Sequence, residues 1–186
     1  MNEQAVLISI KPGWCSAIAN DNKTLEIRKT RPKLEPPFKV YIYCSDPHTK
    51  DPNKLLETHG TDGKIRRANG NVFAEFICNR IDAYDLPYPA YQHELDQAMC
   101  EAACVNYWML HRYVFSGRRF YAWHISELVI YDKPKELSDF RMVNMECLRH
   151  GEDGVPVCEK GNLCQICQVR RPPQSWCYVD WEHSHG

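Results

Sequence analysis

The sequence predicts an α+β protein: a small mixed β-barrel of about six strands with flanking helices, and a Cys-rich insertion before the last strand. Three observations predict it. Six β-prone runs are spread over 186 residues, a length that suits a single domain, 1–186, with an elaboration. The few helical segments do not alternate regularly with the strands, which argues against a doubly wound parallel sheet. Residues 140–171 differ in kind from the rest, with three glycines, four cysteines and few large apolar side chains.

The elements follow in order. Val6-Leu7-Ile8-Ser9-Ile10 is a short apolar run ended by Lys11-Pro12-Gly13, a buried strand. Trp14 to Asn20 has room for a short helix before the polar break at Asn20-Asp21-Asn22. Thr24 to Arg28 alternates with period two, placing Leu25 and Ile27 on one face and Glu26 and Arg28 on the other. Phe38 to Cys44 is strongly β-prone. Residues 46–70 read as a polar loop with a short helix over Lys54–Glu57. Asn71 to Cys78 is a further strand, and Met99 to Phe115 a single helix with Met99, Ala102, Ala103, Leu110, Tyr113 and Val114 on one face. Tyr121 to Tyr131 alternates as a bent strand, and Ser175 to Val179 closes the fold.

Composition narrows the functional classes. Net charge is −1, so no global field draws in nucleic acid and any such contact rests on local patches. One patch is strong: Lys23, Arg28, Lys29, Arg31 and Lys33 lie close together against one acid, Glu26. Lys64 to Arg67, Arg118-Arg119 and Arg170-Arg171 add others. No segment reads as a signal peptide or membrane span. Ten cysteines among 186 residues are fewer than a disulfide scaffold carries. The expectation is a cytoplasmic protein in a reducing compartment, whose cysteines need another explanation.

In Lys23-x-x-Glu26-x-Arg28, Glu26 and Arg28 point the same way from a strand and Lys23 leans over from its start. A carboxylate between two cations can accept from a base amino group while the cations hold phosphate or carbonyl oxygens. The alternative is a solvated salt-bridge stripe.

Ser9-Ile10-Lys11-Pro12 followed by Asn22 to Lys29 resembles the signature of the ASCH domain, a member of the PUA-like superfamily, with Asn22 where that family has glycine. Tyr121 to Ile125 and Pro172 to Tyr178 resemble its C-terminal half in bacterial and phage members. The resemblance implies a barrel whose cleft binds RNA, a nucleotide or a modified nucleoside, with Lys23, Glu26 and Arg28 on one wall. Lys11, Trp14, Lys29, Trp123, His124, Ser126 and Trp176 join them as candidate ligand-binding residues. Some small members hydrolyse N-acetylcytidine, so an amidohydrolase or ribonuclease with Lys23 and Glu26 catalytic is the alternative. Glu26 stands where those enzymes place a threonine nucleophile, Thr24 falls in the opposite register, and Glu94 and Glu101 are candidates for the acidic partner.

The insertion supplies Cys147, Cys158, Cys164 and Cys167, with one Cys-x2-Cys pair and His150 as a spare ligand. Four thiolates suit a structural zinc, closed to chemistry, and open a third reading: a zinc-stapled protein-interaction module. Cys100, Cys104 and His111 share a helical stripe as a weaker ligand set. Cys15, Cys44, Cys78 and Cys177 read as buried thiols.

Overall fold

The computed structural model describes residues 4–86, 95–115, 118–143, 158 and 164–180. In chain order the elements are β1 (Gln4–Ile10), α1 (Pro12–Ala19), β2 (Leu25–Arg28), β3 (Phe38–Cys44), β4 (Glu57–His59), β5 (Ile65–Arg67), β6 (Val72–Asp85), α2 (Gln97–Ala103), α3 (Tyr107–Val114), β7 (Arg119–Lys135) and β8 (Trp176–Asp180). Six strands form one mixed sheet in the order β2-β7-β6-β3-β1-β8. The α+β class and the strand count are those the sequence predicts. The sheet is open rather than closed into a barrel, with β2 and β8 as its edges among the described residues.

By compactness the chain divides into two units. One comprises Met1–Pro12, Lys39–Glu75 and Val129–Gly186. Within it β1 runs parallel to β3 and antiparallel to β8. Residues 5–8 are wholly buried, as expected for a strand covered on both faces. Its core gathers Leu7, Tyr41, Tyr43, Val72, Phe140 and Val179. Residues 46–70 hold more structure than the predicted loop: a 3₁₀ turn at Pro52–Lys54 and the antiparallel β4–β5 ribbon. The polar tip of that ribbon, Gly60 to Lys64, is organised by Asp62, whose carboxylate accepts from the Lys64 N–H (3.1 Å) and from Arg66 (2.9 Å). Polarity there marks a turn, and the three-residue strands are too short to show an alternation.

The other unit comprises Gly13–Phe38 and Phe76–Leu128. β2 pairs antiparallel with β7, Glu26 opposite Trp123 and Leu25 opposite His124. Leu25 and Ile27 pack with Met99, Ala103, Leu110 and Phe120. The helix predicted over 99–115 is two helices. Cys104 adopts a left-handed conformation (φ 55°) as the cap of α2, and the Asn106 side chain accepts from the Met109 N–H (3.0 Å) to start α3. An Asn inside an apolar-periodic run was the signal for this break. The bend expected in the 121–131 strand sits at Glu127 (φ 50°).

Candidate functional site

β2 is four residues long and buried throughout. Its apolar side chains face the helices, which is routine. Its other face is not, because Glu26 and Arg28, with Lys23 just before the strand, are also buried, at 5%, 7% and 3% exposure. Burial excludes the solvated-stripe alternative for these three residues.

The three charges are joined. Lys23 Nζ lies 3.4 Å from Glu26 Oε2, and Arg28 Nη2 lies 3.0 Å from Glu26 Oε1. Lys23 also donates to the Ala103 carbonyl (2.8 Å) and sits 5.1 Å from the centre of the Trp14 ring. Burial pushes the Lys23 ammonium below its ordinary pKa, against the opposing pull of Glu26. Arg28 interacts with the Tyr113 hydroxyl, and exposed Lys29 lies over the Tyr113 ring at 4.9 Å. Trp123, fully buried, is the cross-strand neighbour of Glu26 and packs edge-on against Phe38 with ring centres 6.0 Å apart. The result is two cations on one carboxylate, bordered by Trp14, Trp123 and Tyr113. That combination suits a planar group bearing oxygens and an amino donor: cations for the oxygens, a carboxylate for the amino group, and the half-buried Trp14 and exposed Tyr113 for stacking.

Other predicted residues fall elsewhere. His124 pairs with Leu25, so it lies on the opposite face of β7 from Trp123 and Glu26. There its Nε2 is 2.7 Å from Asp82 Oδ2, and Arg80 closes the group, 2.6 Å from the same oxygen. Burial would raise the Asp82 pKa, but hydrogen bonds from Arg80 and His124 outweigh it and hold the carboxyl low. Ser126, two residues on, donates to the Ile77 carbonyl (2.8 Å). Neither residue joins the charge cluster. Lys11 is exposed, and Trp176 is half-buried with its ring 5.4 Å from that of Tyr178; both belong to the other unit. Thr24 is exposed, with its backbone N–H given to the Ala102 carbonyl (2.8 Å). Glu101 is exposed and accepts from Gln97 (2.8 Å), and Glu94 lies outside the described residues.

One network in the first unit went unread in the sequence. Lys39 Nζ meets Glu75 Oε1 at 2.6 Å, the Tyr131 hydroxyl donates to the other oxygen, and Lys135 lies over the Tyr131 ring at 4.7 Å. The Lys39 and Tyr131 hydrogen bonds keep the Glu75 carboxyl low despite burial. The available signal was a lone charge inside each of two apolar runs, Phe38 to Cys44 and Val72 to Cys78.

Among the described residues one cysteine group is compact enough to ligate a metal: Cys158, Cys164 and Cys167, all buried, their sulfurs within 4.8 Å of one another. They form a small cluster of their own, separate from the apolar cores. The Cys164 N–H donates to Cys158 Sγ at 3.2 Å. Backbone N–H groups of Cys167 and Ile166 help hold the Cys164 thiol below its ordinary pKa, while burial pushes Cys167 up. Tetrahedral Zn–S bonds of about 2.3 Å place sulfurs about 3.8 Å apart, so this donor set fits a thiophilic metal. Cys147 and His150 lie outside the described residues. Cys100, Cys104 and His111 are not drawn together: Cys100 packs against the core of its unit, and Cys104 Sγ meets the Asn22 carbonyl at 3.0 Å. Cys15, Cys44 and Cys78 are buried as expected, and Cys177 is half-buried.

No protein-family model matches the chain, and no curated protein matches it either. Solved structures do. A Tyr-to-Phe variant of the ASCH protein of Zymomonas mobilis is 15% identical, with a TM-score of 0.54 over 97% of this chain and 93% of that one. A Ser-to-Ala variant of the same protein is 16% identical, with a TM-score of 0.53 over 97% and 91%. At that identity the likeness is one of architecture, and the chain has the ASCH fold.

Proposed function

We propose that the protein binds RNA, a nucleotide or a modified nucleoside at Lys23, Glu26 and Arg28. The observation that carries the reading is the burial of this linked charge cluster among aromatic side chains. Burying charge is costly and a buried ion pair often adds little net stability, so a linked cluster retained there is a candidate for ligand binding, and its carboxylate and cations are chemically complementary to a base and its oxygens. The structural likeness to ASCH proteins agrees with it. The test is binding of short RNAs and of modified nucleosides at low salt, with Arg28→Ala as the variant. The expected result is RNA binding that weakens as salt rises, saturable stabilisation of the fold by the nucleosides, and loss of both in the variant. Absence of any binding by the wild-type protein overturns the reading. The hydrolase alternative keeps Lys23 and Glu26 as its catalytic pair, and is tested by turnover of N-acetylcytidine or RNA in Lys23→Ala and Glu26→Ala.

The cysteine cluster supports a second, independent reading: a structural zinc held by Cys158, Cys164 and Cys167, with Cys147 as the fourth thiolate the sequence supplies. None of the described cysteines is in a disulfide, which suits a reducing compartment such as the cytoplasm. Among the described residues no helix is long and apolar enough to cross a membrane. Stoichiometric zinc in the purified protein, lost in Cys164→Ser, is expected. Substoichiometric zinc in protein purified without chelator sinks the idea.

A further inference from the structure

The helix α3 exposes what a core helix hides. Trp108 is 71% exposed and Phe115 66%, with Met109 and Tyr113 close to 40%. Single exposed apolar residues are ordinary, but four within one short segment form a patch. Trp108 and Arg112 are one helical turn apart, as are Met109 and Tyr113, so these four helical residues share the outward face while Leu110 and Val114 are buried, and Phe115 follows the helix as its exposed cap. The segment carries no acidic residue, and His111 and Arg112 add basic groups to its last turn. The Trp108 ring meets Tyr107 (5.3 Å, 86°) and His111 (6.3 Å, 69°) edge to face, contacts that favour this orientation. Phe115 is held at φ 62°, a conformation bulky side chains rarely adopt, with its ring outward. Tyr113 joins this face to the charge cluster, through Arg28 on one side and Lys29 over its ring on the other.

Oriented exposed rings interleaved with cations and free of carboxylates are the chemistry of a single-stranded nucleic acid, whose bases stack while its phosphates meet the cations. We infer that the outward face of α3 is a stacking platform for single-stranded RNA adjoining the Lys23–Glu26–Arg28 cluster, so that the ligand is a polymer rather than a free nucleoside. The inference rests on the nucleotide reading of that cluster and names its substrate class.

The test compares a labelled oligouridine with the mononucleotide UMP on the full-length chain. Trp108→Ala is expected to weaken oligouridine binding roughly 5- to 150-fold, the effect of one lost stacked base, and to leave UMP binding unchanged. Arg112→Gln is expected to reduce the salt slope of oligouridine binding by about 0.7. Both positions are exposed, so unchanged thermal unfolding verifies that the variants fold. Oligouridine binding that is unaffected in Trp108→Ala and in Phe115→Ala overturns the inference. So does a wild-type protein that binds UMP but not oligouridine, a result that leaves the nucleotide reading standing. Binding of neither overturns the inference, and overturns the reading of the cluster as well when the modified nucleosides also fail to bind. Concentration-dependent self-association abolished by Trp108→Ala assigns the face to a second copy of the chain and also overturns the inference.

Discussion

Replacing Glu26 by glutamine keeps the size of the side chain and removes the charge that joins Lys23 to Arg28. The two contacts, at 3.4 and 3.0 Å, each correspond to about 5 kcal/mol of Coulomb attraction at an effective dielectric of about 20. Desolvation of the carboxylate offsets part of that, and removing one partner of a buried pair typically costs about 3–5 kcal/mol. For a chain of this size that lowers Tm by roughly 6–20 °C. A pH signature accompanies the loss. Burial already depresses Lys23 and Glu26 opposes it, so Glu26→Gln depresses Lys23 further. Between the folded pKa and the ordinary 10.5, the unfolded chain binds more protons, and stability rises with pH. The deficit of the variant relative to wild type should therefore shrink as pH climbs towards 10.5. Urea unfolding followed by tryptophan fluorescence, at neutral and at alkaline pH, measures both. A deficit under about 0.5 kcal/mol, typical of exposed pairs, or one that does not change with pH, would refute the argument that this cluster is buried and coupled.

Three further outcomes follow from other positions. The Cys78 thiol is raised from 9.0 to about 12 by burial; the unfolded chain ionises first, so stability should fall from about pH 9 to 12 by at most about 4 kcal/mol, a slope that Cys78→Ala removes in alkaline denaturation curves. Gly70→Ala should cost more than about 1 kcal/mol in urea unfolding, because Gly70 sits at φ +83° and the added carbon meets Pro47 Cβ at 2.6 Å. Tyr131→Phe should cost about 1–3 kcal/mol by the same measurement, since the hydroxyl donates to the half-buried Glu75 carboxylate; a neutral result would place that contact in solvent.

Much of this was legible because periodicity reports burial. The alternation over Thr24–Arg28 assigned Glu26 and Arg28 to one face, as the pairing with β7 shows. It did not reveal that both faces are covered, since a four-residue strand with charges on one side reads like any exposed edge. Phe38–Cys44 was recovered residue for residue because an apolar β-branched and aromatic run has few alternatives. Strand β6 continues past the Cys78 expected as its end to Asp85, where Ile81, Ala83 and Tyr84 among charged neighbours form too short and too exposed an alternation to mark a strand. His124 lies away from the charge cluster for a geometric reason: neighbours on a strand point to opposite faces, and Trp123 occupies the charged side. The split at Cys104 was hidden because Ala102, Ala103 and Leu110 keep helical spacing on both sides of the left-handed residue.

The position of β2 at the sheet margin has a further consequence. An exposed strand edge invites another chain to dock and propagate the sheet into aggregates. Here the margin strand is four residues long, and the backbone N–H just before it, on Thr24, is already given to Ala102 of α2. An incoming strand would also have to accommodate buried Lys23, Glu26 and Arg28 beside it. The residues proposed to grip a ligand thus also guard solubility. A triple replacement by apolar residues of similar volume could raise the melting temperature and still yield a protein that aggregates.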